Sequence, residues 1–214
     1  MCASFRPVIA GAAAVVLLAG SVSCGNLAET GKAPALVVVD LLEAASGADP
    51  GNMGGFLLSD VQTLVDQNVG GTNVRVPVIF NDVARATMHL IPKDVGNGQN
   101  AIAPTPWANL VTLNRYHIEY VRADGRNTPG VDVPFPVDGG ITATVSQTPS
   151  VVPFEIVRHQ QKLEQPLRSL ASFGGRLFIT TIAEITFYGA DQAGNAVQAK
   201  ATINVSFSDY ADPN

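Results

Sequence analysis

From about residue 35 onward, apolar and polar positions alternate at period two, and clusters of Gly, Pro, Asn and Asp interrupt the alternation. Val197, Ala199, Ala201, Ile203, Val205 and Phe207 share one parity, while Gln198, Lys200, Thr202, Asn204 and Ser206 share the other. A strand with one buried face needs this period, because successive side chains point to opposite sides of a sheet. Leu177, Ile179, Thr181, Ala183, Ile185 and Phe187 form a second such set, and Asp191-Gln192-Ala193-Gly194-Asn195 between the runs is a turn signal. The two runs therefore predict a long antiparallel hairpin.

Further strands are expected at 35–42, at 74–80 with Val74, Val76, Val78 and Phe80 inward, and at 84–90 with Arg85, Thr87 and His89 outward. Tyr116, Ile118 and Tyr120 mark another, Ile141, Ala143 and Val145 the next, and 152–157 the last. Eight or nine strands separated by turn residues predict a mainly β domain, an antiparallel β-sandwich. One segment departs from period two: in 160–173, Leu163, Leu167, Leu170 and Phe173 recur at helical spacing before Gly174-Gly175. This predicts one short crossover helix, with Pro166 in its first turn.

The N-terminus follows neither pattern. Arg6 precedes an uncharged apolar run, 8–19, followed by small residues, which reads as a secretory signal peptide. The run is too short to cross a hydrocarbon core of about 30 Å as a helix rising about 1.5 Å per residue. The expected organisation is a signal peptide over 1–23, a tether over 24–34 and a β-sandwich domain over 35–214. Residues 25–34 (GNLAETGKAP) are small and polar, and would reach about 30 Å when extended.

Ser21-Val22-Ser23-Cys24 closes the signal segment, and here the chain resembles bacterial lipoproteins, although Ser21 stands where that family has an aliphatic residue. The resemblance implies that Cys24 is lipidated and becomes the first mature residue. An ordinary signal peptidase cutting at the same bond would instead leave Cys24 a thiol. Cys2 is the one other cysteine and lies in the removed segment, so no internal disulfide could form. The lipoprotein reading places the chain on the outer membrane or cell surface, with the membrane as its first partner. Ile185 to Phe207, with its Asp191, Ala193, Gly194 and Asn195 turn, resembles the last two strands of bacterial immunoglobulin-like domains. That resemblance implies a noncatalytic extracytoplasmic module of immunoglobulin-like character.

Composition narrows the partners. The 214 residues carry a net charge of −5, and removal of 1–23 takes away Arg6 and no acid, leaving −6. Phosphate backbones need clustered Lys and Arg, so nucleic acid is not expected as a partner. An envelope protein or a glycan is the expected class. An outer-membrane barrel fits poorly with 14 prolines and an aromatic content of 7%.

Chemistry is sparse. No nucleophile elbow, P-loop, zincin or Cys-x-x-Cys motif occurs, and no cofactor is expected. His89, His117 and His159 could form a zinc site only if three separate segments converge, and surface histidines are the alternative. Asp124, Asp132 and Asp138, or Asp191 and Asn195, offer oxygens for calcium without a recognised spacing. Arg122, Asp124, Arg126 and Asp132 lie on one Gly/Pro-shaped loop. They could grip an anionic ligand, or brace the loop by pairing with each other. Trp107, in the long connection 92–112, could present an aromatic platform or plug the sandwich. The expected function is thus a lipid-anchored, noncatalytic structural or interaction module. A carbohydrate- or small-ligand-binding module using Trp107 or the 122–132 loop, and a hydrolase whose residues converge only in space, are the alternatives.

Overall fold

A computed structural model describes residues 32–93, 110–171 and 175–210. In chain order its elements are β1 Ala35–Ala45, β2 Phe56–Asp60, β3 Thr63–Val69, β4 Thr72–Val78, β5 Asp82–Pro92, β6 Val111–Val121, β7 Val137–Val145, β8 Ser150–Val157, α1 His159–Leu163, α2 Leu167–Leu170, β9 Phe178–Asp191 and β10 Ala196–Ser208. The protein is mainly β with antiparallel sheets, as the alternation predicts. A three-stranded sheet runs β1-β5-β8, a five-stranded sheet β2-β10-β9-β6-β7, and β3-β4 forms a separate two-stranded ribbon.

The inward sets are those with the expected parity. Ala84, Ala86, Met88 and Leu90 of β5 are buried, as are Tyr116, Ile118 and Tyr120 of β6, Ala183, Ile185 and Phe187 of β9, and Ile203, Val205 and Phe207 of β10. They form one core between the two larger sheets. Phe154 of β8 joins the layers: its ring lies 5.1 Å from Tyr116 and 5.3 Å, edge-on, from Phe187. Each fully buried aromatic contributes on the order of 1.5–3 kcal/mol by leaving water. Tyr116 lies over Gly139 of β7, where an added Cβ would come within 2.1 Å of the ring, so only glycine admits the tyrosine there.

The β9–β10 hairpin forms as expected, with Ala190 opposite Ala196. Asp191 closes its turn by accepting hydrogen bonds from the backbone N–H groups of Ala193 (2.9 Å) and Asn195 (2.8 Å) and from Asn195 Nδ2 (2.7 Å). Burial, the largest single influence, raises the Asp191 pKa, but these donors together outweigh it and hold the carboxyl below its usual range.

Four expectations need correction. There are ten strands among the described residues rather than eight or nine, because β2 and β3 lack clear alternation. The sheets are not wholly antiparallel, since β2 runs parallel to β10. The strand expected at 74–80 ends at Val78, pairs only with β3, and leaves Val74 exposed instead of buried. The single helix is two: Pro166 has no N–H to continue an α-helical ladder, so α1 and α2 flank it, Leu163 is exposed, and only Leu167 and Leu170 are buried from the expected apolar stripe. Phe173 lies outside the described residues.

Candidate functional site

Cys24 and Trp107 also lie outside the described residues. The 122–132 loop can be followed in full. Arg122 donates to Asp124 through Nε (3.0 Å) and Nη2 (2.6 Å), and Arg126 donates to the same carboxylate through Nε (3.1 Å) and Nη2 (3.0 Å). The Arg126 backbone N–H adds a contact at 3.2 Å. Arg122 first, then Arg126, hold the Asp124 carboxyl far below its usual range. Asp132 lies close enough for its charge to act on Arg122, and accepts from the Thr128 backbone N–H at 3.2 Å, closing its own turn. Three of the four residues are therefore hydrogen-bonded to one another, and the fourth adds its charge.

The histidines do not converge. His89 is on the outer face of the three-stranded sheet, with Nδ1 2.7 Å from Asp40. His117 is on the outer face of the five-stranded sheet, with Nδ1 3.2 Å from Asp138 and Nε2 3.5 Å from Glu119. Beside it Arg115 lies 4.2 Å over the ring of Tyr188. The two outer faces point away from each other, which separates these imidazoles by the thickness of both layers. Among the described residues no group of three or more His, Cys, Asp or Glu side chains is placed to hold a metal ion.

Among the described residues a polar groove of about 520 Å³ lies between the start of β7 and α1. Asn81, Asp138, Glu155, Arg158, His159 and Glu164 supply its polar lining. Asn81 orders two of them, His159 and Glu155. Its Oδ1 accepts from the His159 backbone N–H at 2.7 Å, which can only donate and so identifies the atom as oxygen. The same oxygen lies 2.9 Å from His159 Nδ1, so Nδ1 carries a proton and the neutral ring keeps Nε2 as an acceptor. Asn81 Nδ2 donates to Glu155 at 2.8 Å. Arg158 spans the groove, with Nη2 2.9 Å from the Asp138 carbonyl and Nε 3.6 Å from Glu155. No hydroxyl, thiol or amine side chain is among the lining residues; the ionisable groups there are three carboxylates, one imidazole and one guanidinium. A smaller cleft of about 170 Å³ adjoins it across Pro136, walled by Tyr120, Val121, Pro129, Val133 and Pro134.

Beneath the groove lies a buried ionic centre to which no sequence motif points. Lys162 Nζ donates to Asp82 Oδ1 (2.8 Å) and to the Asp60 carbonyl (2.7 Å), and both side chains of the pair are essentially inaccessible, at 1% and 0%. Asp82 also accepts from Ser59 Oγ and from the Gly47 N–H (2.9 Å). Burial pushes the Asp82 pKa up, and Lys162 opposes that shift. Next to Lys162, Gln161 donates to the Phe135 carbonyl at 2.6 Å and accepts from the Arg158 N–H at 2.9 Å. Tyr120 donates from its buried hydroxyl to the Ile156 carbonyl, and burial raises its pKa strongly. These contacts fasten α1 to β2, β5 and the chain before β7.

No protein-family model, curated protein or solved structure matches the chain.

Proposed function

We propose that the chain is a lipid-anchored, extracytoplasmic module of immunoglobulin-like character that acts through binding rather than catalysis. The strand order carries the reading. β1-β5-β8 and β2-β10-β9-β6-β7 follow the A-B-E and A′-G-F-C-C′ arrangement of immunoglobulin-like sandwiches, with β3-β4 as an inserted ribbon and no cysteine pair between the layers. Asp124, Asp82 and Asp191 are each held by partners within the chain, so these carboxylates serve the fold. Attachment rests on the apolar segment 8–19 and Cys24. The test is fractionation of cells producing the full chain: wild type is expected in the membrane and Cys24→Ala in the soluble fraction, whereas an unchanged membrane fraction refutes lipidation.

The groove favours a second reading, a glycan- or small-ligand-binding module. Arg158 donors and the His159 and Glu164 acceptors face one concavity, the mixed polarity that fixes hydroxyl-rich ligands. Glycan-array binding by wild type that disappears in His159→Ala at unchanged melting temperature supports it. Absence of any array signal removes it.

A further inference from the structure

The outer faces of both sheets mix charged and exposed apolar side chains. On the five-stranded sheet Arg115, His117, Glu119, Glu184 and Lys200 are ionisable, and Phe56, Leu58, Phe178 and Ile182 are exposed at its β2 side. On the three-stranded sheet the exposed apolar side chains are aliphatic and begin at the strand by which the chain enters the domain. β1, with sequence ALVVVDLLEAA, carries aliphatic side chains on its outer face as well as its inner one, with Asp40 and Glu43 among them. Leu36 and Leu41 are each 50% exposed, Ile91 opposite Leu36 is 41%, and Val151 opposite Thr87 is 60%. Of the acids on this face, Glu43 pairs with Arg85 at 2.8 Å, Asp40 lies 2.7 Å from His89 Nδ1, and Glu155 lies 3.6 Å from Arg158.

We infer that this aliphatic face rests on the bilayer to which Cys24 attaches the chain, an inference that stands on the lipid-anchor reading above. The polypeptide joins the core at Ala33, just before Leu36, and the residues between Cys24 and Ala33 reach only about 30 Å. Lys93 is at the same corner, its N–H donating to the Pro34 carbonyl at 2.9 Å, and Lys32 is exposed there. Two of the chain's four lysines thus border the patch at the point of attachment. Aliphatic side chains at the acyl boundary with lysine ammonium groups among anionic headgroups is the arrangement that interfacial contact favours.

The test uses the full chain with its own anchor, returned to vesicles of phosphatidylglycerol and phosphatidylcholine. Leu36→Cys and Val151→Cys carry an environment-sensitive fluorophore, and Thr202→Cys, exposed on the opposite sheet, is the control. A lipid-borne quencher is expected to dim the first two several-fold more than the third. Equal quenching at all three, with the protein still on the vesicles, overturns the inference alone. Shielding of Leu36→Cys and Val151→Cys from both lipid-borne and water-soluble quenchers also overturns it, because protein then covers the face. Wild-type protein that does not stay with the vesicles overturns the anchor reading, and this inference falls with it.

Discussion

Asp82 and Asp124 are both gripped by cations, yet they occupy opposite physical regimes. Asp124 sits on a loop tip between Arg122 and Arg126, two residues away on either side, where water screens every contact. Asp82 lies in the interior, bound to Lys162 from 80 residues along the chain, to Ser59 and to the Gly47 N–H. The loop cluster is conspicuous in the sequence and, being exposed, is expected to contribute little to stability. The interior cluster is invisible in the sequence and holds three elements together. Charge density along a chain is thus a poor guide to where charge matters; burial decides.

The largest way to break this contrast is Lys162→Met. It leaves the Asp82 carboxylate buried without a cation, and about 3–5 kcal/mol of stability is expected to be lost, read from the urea midpoint. Gln161→Ala comes next. It frees the Phe135 carbonyl and the Arg158 N–H, and about 1–2 kcal/mol should go, with loosening of the groove detectable as faster amide exchange around Phe135 to Asp138. Asn195→Ala has a smaller effect that depends on pH. Because the folded pKa of Asp191 is depressed, its contribution is present above the ordinary carboxylate pKa of about 3.9 and is lost as pH falls through the depressed value. Removing Asn195 moves that pKa back up, so acid unfolding is expected to begin at a higher pH in the variant. Smallest is Arg126→Ala, expected to leave the melting temperature nearly unmoved, since Arg122 still holds Asp124. A large drop there would collapse the distinction between the two clusters.

The legible parts of the fold are those where local periodicity and tertiary burial agree. β5, β6, β9 and β10 each bury one parity, and the Asp191 turn carries its own hydrogen-bond acceptors, so both could be read directly. β2 could not, because Phe56-Leu57-Leu58 is a continuous apolar run, and its parallel pairing with β10 joins residues some 150 positions apart. The ribbon β3-β4 misleads in the other direction: Val74 and Val76 alternate like core residues, but no third strand covers them. In α1 the apolar stripe suggested Leu163 as the buried residue, whereas Gln161 and Lys162 turn inward because Phe135 and Asp82 are waiting for them. Of the candidate site residues, the mutual bracing of Arg122, Asp124 and Arg126 was readable from spacing. The groove was not, since Asn81, Glu155 and His159 meet only when β8 and the chain before β5 come together.

The central claim, that Lys162 and Asp82 act as one structural unit fastening α1 to the sheets, is tested most directly by a double-mutant cycle. Stabilities of wild type, Lys162→Met, Asp82→Leu and the double variant are measured by urea unfolding at one pH. Each single variant is expected to lose several kcal/mol and the double variant far less than their sum, because it leaves no unpaired charge in the interior. Additive losses, or single losses within about 0.5 kcal/mol of wild type, would contradict it.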